Sequence, residues 1–158
     1  MSQKSKQIPD FAPYIRMNIP EVLSISLFSV FSVGIALADL QRGEVPRAAF
    51  IAAFPVFFAL RVGWGSFPLG EAAAGFFAGL VVFLLARAIS EGKLGLADVW
   101  YSALIGMVLG PRLWYGAAGL ACVGGMALLL VSGRDRIPFI PLMAAGSIAM
   151  AISNGWWR

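Results

Sequence analysis

Apolar stretches of bilayer-crossing character, broken at intervals by short polar clusters, run through the chain from residue 22 to its end. Val22 to Ala38 is 17 residues without a charge, enough for most of a membrane crossing at about 1.5 Å rise per residue. It stops at Asp39, and the segment Asp39-Leu40-Gln41-Arg42-Gly43-Glu44-Val45-Pro46-Arg47 forms a polar loop whose Gly and Pro end the helix. Ala48 to Leu60 is a shorter run of 13 residues. It can cross if Arg47 and Arg61 lie at its ends and snorkel to the two interfaces. After a turn from Gly63 to Pro68, a third span centres on Ala72 to Ala86, with Gly75 and Gly79 in small-xxx-small spacing that lets helix backbones approach. A fourth follows Asp98, with Ser102, Gly106 and Gly110 on one helical face. Leu113 to Gly133 and Ile137 to Trp157 are each 21 residues without a charge, separated by Arg134-Asp135-Arg136, and read as the clearest spans.

The pattern predicts an all-α polytopic membrane protein of about six transmembrane helices. A polar N-terminal tail covers residues 1–20, where no signal peptide is expected, and the six-helix core covers 21–158. Composition agrees: 59% of residues are hydrophobic, 13% are charged and mean hydropathy is +0.82, more apolar surface than a water-soluble chain of this length could hide. The formal charge of +4 comes from bases that fall singly or in pairs between apolar runs. That fits contact with a lipid bilayer and excludes a nucleic-acid-binding patch, which needs clustering.

Six spans place both chain ends on one side and loops one, three and five on the other. The odd loops carry Arg42, Arg47, Arg87, Lys93, Arg134 and Arg136. The opposite side carries Arg61, Arg112 and Arg158 once the distant tail bases Lys4, Lys6 and Arg16 are set aside. The excess puts the odd loops in the cytoplasm. Aromatic-belt positions are expected for Trp64, Trp114, Tyr115, Trp156 and Trp157, an interfacial charge at a helix start for Glu71, and a packing role for Cys122.

Cys122 is the single cysteine and the chain has no histidine. Thiolate zinc sites and Ser-His or Cys-His catalysis are therefore excluded within it, and any chemistry falls to carboxylates, Lys or Tyr. Asp39 and Asp98 both sit where an apolar helix meets an odd-numbered loop, at one membrane depth. An acid at the edge of hydrocarbon is costly, so each is a candidate site residue, against the plainer reading of a helix-end charge reaching headgroup water.

Three segments carry a resemblance to the type IV prepilin peptidase and preflagellin peptidase family of GxGD-type membrane aspartic proteases. Asp39-Leu40-Gln41-Arg42-Gly43-Glu44-Val45-Pro46 resembles the family's first-aspartate loop ending in Pro. Gly95-Leu96-Ala97-Asp98-Val99 resembles its GxGD motif, and Arg136-Ile137-Pro138-Phe139-Ile140-Pro141 is similar to its final-span entry. The 59-residue separation of the two acids also fits. Ala97 stands where the family usually has Gly, and Trp100 where it often has Lys. Presenilin-like relatives fit less well, because Ala38 precedes Asp39 and the nearest candidate for their Pro-Ala-Leu motif reads Ile140-Pro141-Leu142.

The resemblance implies an aspartic endopeptidase in which Asp39 and Asp98 are catalytic. Gly95, Ala97 and Pro46 would support the motifs, and Arg42, Arg47 and Lys93 would contact substrate or lipid. It implies no metal or organic cofactor. The implied partner is a membrane-inserted prepilin-like precursor, cut where its basic leader meets its apolar helix, at the cytoplasmic face of the inner membrane. The cysteine-rich zinc insert that many bacterial members carry cannot be built from one cysteine, so N-methylation of the product is not expected. Two other classes fit the same features. One is a catalytically silent relative acting as a membrane component of secretion or pilus assembly, and the other is a small proton or ion transporter subunit using the paired acids as a relay.

Overall fold

The computed structural model describes residues 19–64, 67–132 and 138–153, and every regular element among them is helical. The tail, the Arg134-Asp135-Arg136 turn and the final Trp156-Trp157 pair lie outside the described residues. The helices are α1 (Ile19–Arg42), α2 (Arg47–Phe58), α3 (Leu69–Ile89), α4 (Leu96–Leu109), α5 (Pro111–Ser132) and α6 (Phe139–Ser153). A π-helical turn, Ala59–Gly63, prolongs α2.

Local residue chemistry sets the boundaries. Gly43 adopts φ +65 and gives its N–H to the Asp39 carbonyl at 2.9 Å, closing α1 with the left-handed residue that glycine supplies without steric cost. Pro46, at φ −65 and ψ 129, then starts α2 where its missing N–H is no loss. The α4 to α5 junction is a single residue. Gly110 turns the chain at φ +79, and Pro111 opens α5.

Three helices, α1, α3 and α5, are each long and apolar enough to cross a membrane. The remaining three are shorter than a full crossing: α4 has 14 residues, α6 has 15, and α2 has 12 before its π turn. The expected crossing over 137–157 is thus helical over Phe139–Ser153 among the described residues. Outward positions are apolar: Val30 is 72% exposed, Leu130 87% and Val131 88%. Surfaces of this kind are at home in hydrocarbon, and the molecule is an all-α membrane protein.

The centre of the bundle is α4, in which every residue from Tyr101 to Leu109 is buried. Small residues make this possible. A β-carbon on Gly75 of α3 would fall inside the Gly106 carbonyl of α4, and one on Gly79 would meet the Ser102 backbone. Likewise Gly146 of α6 lies against the Ala117 carbonyl of α5. Where lipid is as apolar as any side chain, such close backbone approach is what favours helix association.

Three side chains face other directions than expected. Arg61 does not snorkel but is 2% exposed. Pro55 has no N–H for the carbonyl four residues earlier, and the helix beyond it widens into the π turn that carries Arg61. The Arg61 guanidinium gives Nε–H to the Val108 carbonyl at 2.8 Å, one of the carbonyls that the end of α4 leaves without a helical partner. Its carbon lies 4.0 Å from the Phe67 ring centroid, and the charge of half-buried Glu21 acts on it. Trp114 is buried rather than at the interface, because its Nε1–H has a partner inside, the Ser102 hydroxyl at 2.9 Å. Cys122 faces outward and does not pack in the core. Trp64 and Tyr115 are exposed as expected, and Glu71 is exposed in the first turn of α3.

Candidate active site

One end of the bundle gathers the end of α1, the start of α2, the α3–α4 loop and the start of α4. The buried positions of α1 are Ser24, Phe28, Ser32, Ile35 and Ala36, a stripe at helical spacing that continues to half-buried Asp39. Asp39 therefore lies on the inward side of α1, one turn before Gly43 ends the helix.

Asp98 is the third residue of α4. Its Oδ2 accepts the Gly95 N–H at 3.1 Å, so the carboxylate satisfies one of the donors left open at the helix start and is favoured there by the helix dipole. Gly95 is at φ −63 and ψ 143, a backbone conformation open to any residue. Glycine is needed for space: a β-carbon there would lie 2.9 Å from Asp98 Oδ2. The second motif position, Ala97, is half-buried in the first turn of α4 and packs against the core with its methyl accommodated. Trp100 sits edge-to-face on Phe54 of α2, with ring centroids 6.1 Å apart.

The two carboxylates are within electrostatic reach, since the charge of Asp39 acts on Asp98. Two acids at that range on different helices can hold different protonation states, the condition for one to act as base while the other acts as acid.

The loop that delivers Asp98 is tied from behind by Arg87. Its Nη1 donates to the carbonyls of Leu94 and, at 3.4 Å, Gly92. The Ser90 hydroxyl adds a second tie by accepting the Leu94 N–H at 3.3 Å. Glu91 at φ 54 and Gly92 at φ 80 make the reversal. A basic residue counted with the interfacial loop gave no hint of this role: Arg87 lies in the last turn of α3, and the tie depends on where the loop carbonyls turn.

Of the other residues singled out by sequence, Pro46 caps α2 beside the site, whereas Arg42, Arg47 and Lys93 are exposed around its rim. None of the three is brought onto the carboxylates by a hydrogen bond or ion pair in the structure described. Among the described residues no cluster of three or more Cys, Asp or Glu could hold a metal ion. An apolar recess of roughly 250 Å³, lined by Phe58, Ala72, Phe76, Phe77 and Met107, lies at the opposite end of the bundle, away from both acids.

The type IV leader peptidase family matches the chain over residues 18–130, a stretch containing both acids, the first four helices and nearly all of α5. A prepilin leader peptidase/N-methyltransferase of Bacillus subtilis (strain 168) is 29% identical over 141 residues, covering 82% of this chain and 53% of that protein. The chain thus spans about half the length of that relative. No solved structure matches it. With well over half of its length aligned to that family, this chain belongs to the type IV leader peptidase family.

Proposed function

We propose that the protein is an aspartic endopeptidase that removes the basic leader from type IV prepilin-like precursors, with Asp39 and Asp98 as its catalytic pair and residues 21–158 as its peptidase core. The observation that carries this reading is the placing of two half-buried carboxylates, 59 positions apart in sequence, within electrostatic reach of each other at one end of an otherwise apolar bundle. Family membership supports it.

The chemistry follows from the residue types. One carboxylate, ionised, takes a proton from a water held between the pair as that water's oxygen attacks the scissile carbonyl. The other, protonated, gives its proton to the carbonyl oxygen. Collapse of the resulting diol returns a proton to the leaving amine and resets the pair. The Gly95 N–H fixes the Asp98 carboxyl at the start of α4, and the two acids exchange the ionised and protonated roles through the cycle.

The shallow position of the pair suits a substrate whose apolar helix lies in the membrane and whose polar leader lies outside it. Arg42, Arg47, Arg87 and Lys93 surround this end, against Arg61 and Arg112 at the other among the described residues. That excess supports a site at the cytoplasmic face of the inner membrane, where Arg42, Arg47 and Lys93 would meet lipid phosphate or the precursor.

Purified protein in detergent, incubated with a prepilin-like precursor, should release a fragment of leader length by mass spectrometry, and Asp39→Asn and Asp98→Asn should each abolish it. Cleavage that survives both substitutions would remove the carboxylate pair from the reaction. No cleavage by the unsubstituted protein of any precursor with a basic leader would favour the silent assembly component instead.

A further inference from the structure

Both α2 and α3 pack on α4, but among the described residues the α2 backbone, before its π turn, hardly approaches that of α3. Aromatic rings line the seam between them. Phe76 of α3 and Trp100 of α4 each lie edge-to-face on Phe54 of α2, with ring centroids 5.6 and 6.1 Å away, and Phe76 meets Phe77 at 5.3 Å. Beyond this row, away from the acids, the seam opens into the recess of roughly 250 Å³ lined by Phe58, Ala72, Ala73, Phe76, Phe77 and Met107. The other side of α2 is closed, because Phe57 takes edge contacts from Phe28 and Phe31 of α1, and both Phe28 and Phe57 are buried. On the α3 side Phe54 and Phe76 are only half-buried, and Phe58 and Phe77 are 43% and 59% exposed.

A flat apolar surface needs no partner in hydrocarbon, but a concave one does, since its walls lose dispersion contacts unless something enters. A dry cavity of about 150 Å³ takes up benzene, so this recess has room for a large apolar side chain. An acyl chain or a side chain of another helix would fill it. Two features favour the helix. Ala72 and Ala73 are small, which lets a second backbone come close, as Gly75 and Gly79 do for α3 on α4. The seam is also continuous with the site: it starts at Trp100, two residues after Asp98, and Ala97, Trp100 and Met107 share one side of α4 by their spacing. Because Asp98 lies in the first turn of α4, a peptide leaving the seam reaches it by crossing the helix start. Met107 is nine residues beyond Asp98, about 13 Å along the axis. A helix that begins at the carboxylates and follows the seam therefore brings the residue about nine positions past its cut to the recess.

We propose that the α2–α3 seam binds the apolar helix of the precursor, with an apolar side chain about nine residues beyond the cut seated in the recess. The inference rests on the peptidase reading for the identity of the occupant. Phe58, Phe77 and Ala73 are then binding residues: they touch the substrate helix far from the scissile bond and set how deep it lies, and so which peptide bond meets the carboxylates.

Two measurements test it on the full chain in lipid nanodiscs, with a prepilin-like precursor in which a basic leader precedes an uncharged helix. In the first, the photoreactive residue p-benzoylphenylalanine replaces Phe58 or Phe77, with Leu120 of α5, also exposed, as the control position. Both seam positions should cross-link to precursor residues about seven to eleven places past the cut, and the control should cross-link to lipid. Links to lipid alone at Phe58 and Phe77 would make the recess an acyl-chain site and overturn the proposal, as would equal linking of the precursor at Leu120. The second measurement is precursor cleavage by Ala73→Trp, which fills the recess from the α3 side. KM should rise about tenfold or more at unchanged kcat, because helix binding is lost and the chemistry is not. Unchanged KM in the folded variant would overturn the seating of a side chain there. If the precursor is linked at Phe58 and Phe77 but never cut by the unsubstituted protein, the peptidase reading fails and the seam stands. If it is cut and not linked there, the seam fails and the peptidase stands.

Discussion

Gly95→Ala isolates the geometry of the Asp98 carboxylate from every other property of the site. The backbone at Gly95 is already where alanine can go, so the substitution adds one methyl and no conformational strain. That methyl would stand 2.9 Å from Asp98 Oδ2 and 3.7 Å from its Cγ. Ordinary contact begins at about 3.5 Å, so the carboxylate must retreat by roughly half an ångström and stretch or lose its bond to the Gly95 N–H. Misplacing a reacting group by about 1 Å can cost on the order of 10²-fold, so roughly tenfold in kcat is expected here. Weakening one charge-assisted bond and putting Ala at a helix N-cap should together cost about 1–2 kcal/mol of stability. The companion substitution, Ala97→Gly, removes a methyl two residues away within the helix. It should cost up to about 1 kcal/mol through helix propensity while leaving kcat near or above its starting value. The assay is precursor cleavage in detergent at saturating substrate, beside thermal unfolding of the same samples. Full kcat in a folded Gly95→Ala protein would refute the claim that Gly95 is there to make room for the carboxylate. Loss of activity in folded Ala97→Gly would show that the methyl at 97 is an adapted feature of the site.

Three further outcomes follow from the packing. Gly75→Leu should drive α3 away from α4, since a β-carbon alone would already occupy the Gly106 carbonyl, and should lower the unfolding temperature sharply; Gly119→Leu, where nothing lies within 4 Å, should leave it unchanged. Arg61→Ala, which leaves the Val108 carbonyl unpaired in a buried space, should cost about 1–3 kcal/mol by detergent unfolding, and Arg61→Lys should recover only part of this because an ammonium cannot stack flat on Phe67. A finding that Arg61→Lys matches the original protein would show that charge alone is required there. Arg87→Gln should loosen the loop ahead of Gly95, read as faster amide exchange over residues 90–95 together with a several-fold lower kcat; unaltered exchange would mean that the Ser90 tie suffices without Arg87.

The segments of the bundle and their order were legible in the sequence, but not every end: α1 runs on through Asp39 to Arg42, where a polar loop was expected, because Gly43 is the first residue that stops it. Gly43 and Pro46 mark one turn, because positive φ and a missing N–H are properties of the residues themselves, whereas Gly110, expected on the face of the fourth helix, instead breaks the chain at φ +79. The placement of Asp39 and Asp98 at helix ends follows from the same boundaries, as does the small-residue contact surface of α3. Which way each helix faces was another matter. In a soluble protein polar residues mark the outside, but a helix surrounded by lipid is apolar all round, and hydropathy then carries almost no information about its inward side. Arg61 and Trp114, assigned to interfaces by chemical type, turned inward because buried partners exist for them, the Val108 carbonyl and the Ser102 hydroxyl. Cys122 turned outward because its helix offers smaller residues, Ala117, Ala121 and Gly125, to the core. The choice of α4, only 14 residues long, as the central helix depends on which backbones can approach most closely. That is decided by the fit of whole surfaces, and no single segment of the chain contains it.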